Sequence, residues 1–219
     1  MGKTTLSASS DATRQRVLRA AEQLFGAKGV ENVSLREMTT LAGVNLAAVN
    51  YHFGSKDALA EAVFEALSER VNTSRLANLQ AVLDAAAHQR KRPDISDILL
   101  TFLRPYLDPQ VEGEGALLAQ LILKHRVAPS EMTRRIVAKY FDPMAREYVD
   151  AYQLALPQIP REEFYWRYMF VAGAVLLAAT DQERVNRVSS ISHGAVDGAN
   201  VQSTVDSLVR FLAGGMAAD

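Results

Sequence analysis

The sequence predicts an all-α protein with a small three-helix N-terminal head and a larger helical C-terminal body. Apolar residues recur at spacings of three and four along most of the chain, which is the helical period. No segment alternates with period two between turn signals, so no sheet is expected. With 48% hydrophobic and 22% charged residues, the composition is that of a globular protein with a normal core.

Composition also excludes several classes of function. The chain has no cysteine, so neither disulfides nor thiolate chemistry is expected. Residues 1–10 are polar and lack the apolar centre of a signal peptide. The most continuous apolar run, 169–179, is far short of the roughly 20 residues that a membrane span needs. We therefore expect a cytoplasmic protein that does not enter the membrane.

The head is predicted to begin with one amphipathic helix. We expect residues 1–9 to be disordered and the helix to run from Ser10 or Asp11 to Ala27, with Gly29 as its C-terminal cap. The apolar residues expected to face the core of the head are Val17, Ala21, Leu24 and Phe25.

Two short helices joined by a tight turn follow. Ser34 is placed as an N-cap, and Glu37, three residues later, can complete a capping box. Gly43 can adopt positive φ, which ends the first of these helices, and Asn45 can cap the next. This arrangement is the helix-turn-helix motif, whose second helix enters the major groove of DNA.

A fourth helix is expected to connect the head to the body. Ser55 caps it, and an apolar i, i+4 stripe follows at Leu59, Val63, Leu67 and Val71. We place the DNA-binding domain at 10–56 and the regulatory and dimerisation domain at 57–219.

The body is expected to consist of further helices. An Ala/Leu-rich helix after Arg75 should end near Ala87, and the basic segment 88–93 is either a solvated loop or a second nucleic-acid patch. Loops are expected at 112–115 and 186–200, and a kink at Pro143. The other predicted helices are 94 to about 109, with a bend near Pro105, 116–127, 130–155, 161–180 and 201–212.

Charge is distributed unevenly along the chain. Residues 1–56 contain seven Lys/Arg and four Asp/Glu, whereas the remainder contains 17 and 21. A mildly basic head on an acidic body suits a protein that presents one end to phosphates.

The head resembles the DNA-binding segment of the TetR family of transcriptional regulators. The matching residues are Ala20-Ala21, Leu24-Phe25, Gly29, Ser34, Ala42-Gly43-Val44 and Tyr51-His52-Phe53-Gly54-Ser55-Lys56-Asp57-Ala58-Leu59. The stretch 44–56 is similar to the PsrA-type subgroup, whose members answer to fatty-acid metabolites. The resemblance covers about the first third of the chain.

Candidate DNA contacts fall on helices 2 and 3 and at the start of helix 4. For base edges we expect Arg36, Leu46, Ala47 and Asn50, because Arg pairs with guanine, Asn pairs with adenine, and small apolar groups meet thymine methyls. The resemblance implies phosphate contacts at Tyr51, His52 and Lys56, and the hydroxyls of Thr39 and Thr40 are further phosphate donors. The alternatives are core packing for Tyr51 and His52 and a solvated side chain for Arg36.

The resemblance also implies a homodimer on a palindromic operator, formed through the last two helices. The expected interface residues are Gly173, Ala174, Ala178, Val205, Leu208 and Leu212, with filling of the monomer core as the alternative. The expected pocket for a small hydrophobic ligand is lined by Phe102, Tyr106, Leu121, His125, Tyr140, Met144, Trp166 and Phe170, although such residues also form ordinary cores.

The resulting hypothesis is a sequence-specific transcriptional regulator, a repressor released by a small hydrophobic ligand such as a fatty acid or acyl-CoA. An enzyme is not expected, because the sequence has no metal-ligand spacing, phosphate loop or nucleophile elbow, and no cofactor or metal is predicted. Two alternatives remain: an architectural DNA-binding protein without strong sequence preference, and a helical ligand-binding protein with a vestigial head.

Overall fold

A computed structural model describes residues 3–107, 114–181 and 184–218, with side chains from residue 10 onward and without that of Arg184. The described residues form helices and connecting turns with no strand, which confirms the all-α prediction. The helices are α1 Lys3–Lys28, α2 Leu35–Ala42, α3 Leu46–Phe53, α4 Lys56–His88, α5 Ile95–Leu107, α6 Glu114–Val127, α7 Glu131–Ile136, α8 Asp142–Ala155, α9 Arg161–Thr180, α10 Arg184–Ile191 and α11 Val201–Ala217. A π-helical turn, Val137–Phe141, separates α7 from α8.

The chain divides into two compact units, Met1–Leu67 and Ser68–Asp219, and the boundary falls inside α4. Unit 1 contains α1, α2, α3 and the first part of α4. Its helices α1, α2 and α3 pack against one another around fully buried Ala21, Phe25 and Met38. Burial of each large apolar side chain contributes about 1.5–3 kcal/mol, so this small core stabilises the packing of α2 and α3 against α1.

Unit 2 is built around α5, which packs against α6, α8, α9 and α11. The amphipathic pattern of α5 explains this central position, because Ile98, Leu99 and Leu103 are completely buried. A polar contact lies inside the core: the hydroxyls of Thr101 and Tyr148 are 2.8 Å apart. Burying these hydroxyls is tolerated because each has a hydrogen-bond partner.

A close approach of α5 and α6 depends on Gly115. An ideal Cβ at this position would overlap the carbonyl oxygen of Pro105, so any side chain would force the two helices apart. Helix α6 begins at Glu114 and includes Gly115, although the sequence predicted a loop at both residues. The rest of that predicted loop lies outside the described residues, as does the predicted end of the preceding helix at Pro109.

Other element predictions also differ from the structure. Helix α1 begins at Lys3 within the segment expected to be disordered, and α4 continues without a break past Arg75 to His88. Helix α10 occupies part of the predicted loop 186–200. Pro143 lies in the first turn of α8, where its missing N–H is tolerated, and the irregularity expected there is the π-helical turn just before it.

None of the helices in the described part of the chain has the length and the apolar character required to span a membrane.

Candidate DNA-binding surface and ligand cavity

The turn between α2 and α3 is fixed by caps at both helix ends. The Ser34 hydroxyl accepts a hydrogen bond from the Glu37 amide at 3.2 Å, and the Ser34 amide donates to the Glu37 carboxylate at 2.9 Å. Gly43 adopts φ 62°, a left-handed conformation that favours glycine. The Asn45 side chain accepts from the Ala48 amide at 2.9 Å. These contacts orient α3 relative to α2 without help from a ligand.

Glu37 is also held by a second partner. The Lys28 ammonium lies 2.7 Å from its carboxylate. Lys28, together with the hydrogen bonds from Ser34, lowers the pKa of Glu37 to about 2. Glu37 is therefore ionised at any pH at which the protein operates, and its charge completes the cap of α2.

One face of α3 is anchored in unit 1 and the rest is exposed. Val49 is only 1% exposed, whereas Leu46 is 49% and Tyr51 is 81% exposed. The Ala47 and Asn50 side chains are exposed as well. All three base-contact candidates of this helix, Leu46, Ala47 and Asn50, thus lie at the surface, and Tyr51 is not a packing residue.

The candidates on α2 differ in how available their polar groups are. Arg36 and Thr40 are exposed, and Thr39 is half-buried. Both threonine hydroxyls donate to the Arg36 carbonyl oxygen at 2.9 Å. Each hydroxyl would have to rotate before it could donate to a phosphate.

His52 and Lys56 are half-buried beside this surface. The His52 ring packs edge-on against the Tyr51 ring, with 5.1 Å between centroids. The Lys56 ammonium donates to the Glu31 carbonyl oxygen at 3.2 Å, which holds it near the N-terminus of α4. A cation beside free helical N–H groups is a favourable environment for an anion.

Unit 2 contains a cavity of about 350 Å³. Four of the predicted pocket residues are in its wall: Phe102, Tyr106, His125 and Met144. The sequence also indicated Phe141 and Met169 as apolar lining and Arg126 as a group for a polar ligand head, and all three are in the wall. Sequence reasoning missed the other wall residues, which are Ile122, Val137, Asp142, Ala145, Tyr165, Tyr168, Ala172 and Leu176.

The remaining four predicted pocket residues lie elsewhere. Leu121 and Tyr140 are half-buried outside the cavity wall. Trp166 and Phe170 are 65% and 67% exposed on the outer side of α9. This helix carries apolar residues on all sides, so its periodicity could not distinguish the side that lines the cavity from the side that faces outward.

The cavity wall has a polar section at the end of α6. The ring nitrogen Nδ1 of His125 is 2.6 Å from the Thr133 hydroxyl. Burial, followed by the nearby charges of Arg126 and Arg134, lowers the pKa of His125 below its ordinary value, so the ring is neutral at pH 7. Arg126 is then the cation of the cavity wall.

The predicted interface residues are only partly at the surface. Val205 and Leu212 are buried within unit 2, Ala174, Ala178 and Leu208 are half-buried, and Gly173 is exposed. Four of the large apolar residues left exposed on α9 and α11 form what we term the exposed apolar stripe: Trp166, Phe170, Leu177 and Phe211. The spacing of Trp166, Phe170 and Leu177 on one side of a helix is the sequence signal that could have identified it.

Groups of three or more His, Asp or Glu side chains suitable for a metal ion are absent from the described part of the chain.

Comparison with known proteins assigns both units. Residues 17–63 match the family model "Bacterial regulatory proteins, tetR family", and residues 101–215 match "Tetracyclin repressor-like, C-terminal domain". The chain is 32% identical over 80 residues to the probable HTH-type transcriptional regulator ArpR of Pseudomonas putida. It is 37% identical over 57 residues to the HTH-type transcriptional regulator TtgR, also of Pseudomonas putida. These matches cover 36% and 26% of this chain. The chain therefore spans less than half the length of either relative, 38% and 27% respectively.

Solved structures agree on the fold. A HlyIIR variant in which a linker replaces residues 169–186 is 18% identical, with a TM-score of 0.62 over 96% of this chain and 98% of that one. GusR of Salmonella enterica is 15% identical, with a TM-score of 0.53 over 94% of this chain and 95% of that one. At these identities the similarity concerns the fold alone.

The helix-turn-helix of unit 1 has a capped and largely exposed α3. Two family models match the chain, and one of them covers more than half of it. The chain belongs to the TetR family of bacterial regulatory proteins.

Proposed function

We propose that this protein is a cytoplasmic, dimeric repressor that binds a palindromic operator through α3 and leaves it when a small hydrophobic ligand enters the cavity of unit 2. Acyl ligands, free or as coenzyme A thioesters, are the first class to test, because residues 44–56 resemble the PsrA-type subgroup. The prediction of domains at 10–56 and 57–219 is part of this proposal.

The exposure of α3 is the observation that carries DNA recognition. A tyrosine that is 81% exposed and a leucine that is 49% exposed gain little from their own fold. Both project from a helix whose N-terminus is capped by Asn45 and whose buried side rests on Val49. Such a helix can enter the major groove with Asn50 toward adenine and Leu46 and Ala47 toward thymine methyls. Tyr51, His52 and Lys56 would then contact phosphates, as would Thr39 and Thr40 from α2. Arg36, also on α2, would reach a guanine edge.

The exposed apolar stripe supports a homodimer. Helices α9 and α11 pack against each other, and the Arg167 guanidinium donates to the Met216 carbonyl oxygen at 2.7 Å, which joins them into one surface. Pairing of two such surfaces would give a four-helix interface, with Gly173, Ala174 and Ala178 permitting close approach around the large side chains. The dimer presents two heads to half-sites about 34–36 Å apart.

Release by a ligand would act through α4. Its second part, from Ser68, belongs to unit 2, and its first part belongs to unit 1. A ligand that binds unit 2 more tightly in one position of α4 than in another shifts the population toward that position, and the spacing of the heads changes with it.

Operator binding tests the proposal. The purified protein should bind DNA from upstream of its own gene, or a site selected from random sequences, far more tightly than scrambled DNA at physiological salt. Tyr51→Ala should weaken this binding by about tenfold to a hundredfold, because a hydrogen bond to a charged phosphate is lost. The melting temperature should not change, since Tyr51 is exposed.

Leu154→Ala provides the control, because it removes a large exposed side chain of unit 2 that lies outside the cavity wall and the stripe, and it should leave operator affinity intact. Equal and strongly salt-dependent binding to all DNA fragments would contradict sequence-specific regulation and favour an architectural role. No DNA binding at all would favour a vestigial head.

A further inference from the structure

The most unusual buried group of unit 2 is Arg75, on α4. Its side chain is completely buried, with a relative exposure of 0%. Arginine retains its positive charge at all relevant pH values, so burial does not neutralise it. A buried charge is expected to have an opposite charge or a full set of hydrogen-bond acceptors.

Only one of the three guanidinium nitrogens makes hydrogen bonds of good geometry among the described residues. Nη1 donates to the Asn72 side-chain oxygen at 2.9 Å and to the Met144 sulfur at 3.0 Å. Nε and Nη2 are buried and make no hydrogen bond of good geometry in the described part of the chain, although the Tyr106 hydroxyl is close enough to contribute to a raised pKa of Arg75. A thioether sulfur is a weak acceptor on a flexible side chain, so even the contact with Met144 is easily exchanged.

The surrounding tyrosines do not supply the missing negative charge. Burial raises the pKa of both Tyr148 and Tyr168, so their hydroxyls are neutral near Arg75 at physiological pH. Burial likewise raises the pKa of Tyr152. The Tyr148 hydroxyl is already paired with Thr101.

The guanidinium lies directly behind the cavity wall. Its carbon atom is 4.7 Å from the centre of the Phe102 ring and 4.6 Å from that of the Tyr106 ring. Both rings line the cavity, and so does Met144. Three neighbours that hold Arg75 are thus also groups that an occupant of the cavity would touch.

The two unpaired nitrogens determine what kind of occupant fits. Nε and Nη2 share one edge of the planar guanidinium, and their N–H bonds form the parallel fork that a carboxylate accepts with both oxygens. We propose that the cavity binds a small amphipathic carboxylate, whose apolar body contacts Phe102, Tyr106 and Met144 and whose carboxylate pairs with the Nε–Nη2 edge of Arg75. Arg126 adds positive charge to the wall and Asp142 adds negative charge, and both side chains are exposed.

The volume limits the size of the ligand. A cavity of about 350 Å³ corresponds to roughly a dozen water-sized groups. This suits a medium-chain or phenyl-substituted acid, whereas the coenzyme A part of a thioester would have to lie outside the cavity. The inference rests on the proposed function, since it names the ligand class of the same cavity.

Titration calorimetry on the full-length protein without DNA tests the inference. The probes are octanoate and 4-phenylbutanoate, each compared with its own primary amide, which has the same shape but no charge. Each acid should bind about tenfold or more tightly than its amide, because its hydrogen bonds with the guanidinium are charge-assisted. Equal binding of acid and amide, or no saturable binding of either acid at millimolar concentration, would overturn the proposal.

Variants of Arg75 test whether this residue causes the preference for acid over amide. Arg75→Gln should remove the preference for acid over amide, whereas Arg104→Gln, which changes an exposed arginine on α5, should keep it. Arg75→Lys retains the charge without the fork, so it should keep the preference with weaker binding. Survival of the full preference in Arg75→Gln would show that another cation binds the acid.

A second measurement separates binding from a purely structural role. Arg75→Met should unfold at the same temperature as the wild type or higher, because it replaces an unpaired buried charge with an apolar chain of similar length. A structural arginine would give a clear loss of melting temperature together with an unchanged acid preference in Arg75→Lys and Arg75→Gln. An Arg75→Gln variant that does not fold is replaced in the binding test by Arg75→Met.

The outcome is independent of the operator experiment. A protein that binds the acids through Arg75 but ignores operator DNA would support the site and contradict the repressor. Operator binding that acids do not alter, with acid binding intact, would leave the site in place and remove release by this ligand from the proposed function.

Discussion

Glu37 and Arg75 are two charged residues whose hydrogen-bonding environments differ sharply. Glu37 is at the surface of the head with a full set of donors around its carboxylate. Arg75 is buried in unit 2 with two nitrogens that make no hydrogen bond of good geometry among the described residues. The first arrangement stabilises the free protein, and the second leaves a place for something else to bind.

The lowered pKa of Glu37 predicts a specific dependence of stability on pH. Because the pKa falls from an ordinary value of 4.5 to about 2 on folding, the contribution of Glu37 is fully present above 4.5 and is lost as the pH falls toward 2. Wild-type protein should therefore melt at a higher temperature than Glu37→Gln at pH 7, and the difference should shrink in this acidic window.

Melting curves followed by circular dichroism between pH 7 and the onset of acid unfolding would measure the effect. Glu131→Gln, at an exposed site in unit 2, is the matched control. A wild-type advantage that stays constant down to pH 3 would show that the ionised form of Glu37 is not what stabilises the cap.

Sequence patterns located individual residues where local chemistry determines position. The capping box of Ser34 and Glu37 and the left-handed Gly43 depend on contacts within a few residues, and the structure confirms them. Arg75 could not be found in this way, because a lone arginine in a helical segment is usually solvated. Its burial follows from the packing of α4 with Phe102 and Tyr106, which are far away in sequence.

At the scale of the helices, the period of apolar residues predicted the positions of helices along the chain. It was less successful in predicting which side of a helix packs against the core. Helix α9 is the clearest example, since Phe164 and Val175 are in the core while Trp166 and Phe170 point outward. Helix starts with a capping side chain were predicted well, whereas α10 was missed because it is short and polar. Only tertiary contacts distinguish the inner and outer sides of a helix that is apolar all round.

The exposed apolar stripe predicts how a single charge would alter assembly. Phe170→Glu places a carboxylate at the centre of the proposed interface, where pairing would bury it next to its own copy, so the dimer should dissociate. Sedimentation or light scattering would show a monomer, and operator affinity should fall because only one head binds at a time.

Leu154→Glu serves as the control, since Leu154 is an exposed leucine on α8, outside the stripe, with 58% exposure. A dimer that persists in Phe170→Glu would move the proposed interface to another surface.

For the whole molecule, the uneven distribution of charge determines how DNA binding should respond to salt. The excess of basic over acidic residues before position 57 is small, so operator affinity must come from a few well-placed phosphate contacts. Lys56→Ala should therefore reduce the slope of log affinity against log salt concentration by about one, uniformly across DNA sequences.

Fluorescence anisotropy over a range of potassium chloride concentrations would give this slope. Lys91→Ala, in the basic segment 88–93, tests the second nucleic-acid patch in the same assay. Lys91 is exposed in the turn after α4, and no change in slope is expected for its variant. A reduced slope in Lys91→Ala would add that segment to the DNA-binding surface.

The chain contains a single tryptophan, and it is Trp166 in the exposed apolar stripe. In one protomer its indole is 65% exposed, so isolated chains should emit at the long wavelengths of a solvated indole. Pairing through the stripe would transfer that indole from water into an apolar contact and shift its emission to the blue. The protein thus contains a native fluorescent reporter of its own assembly, and dilution of the unlabelled protein in a cuvette is enough to observe it.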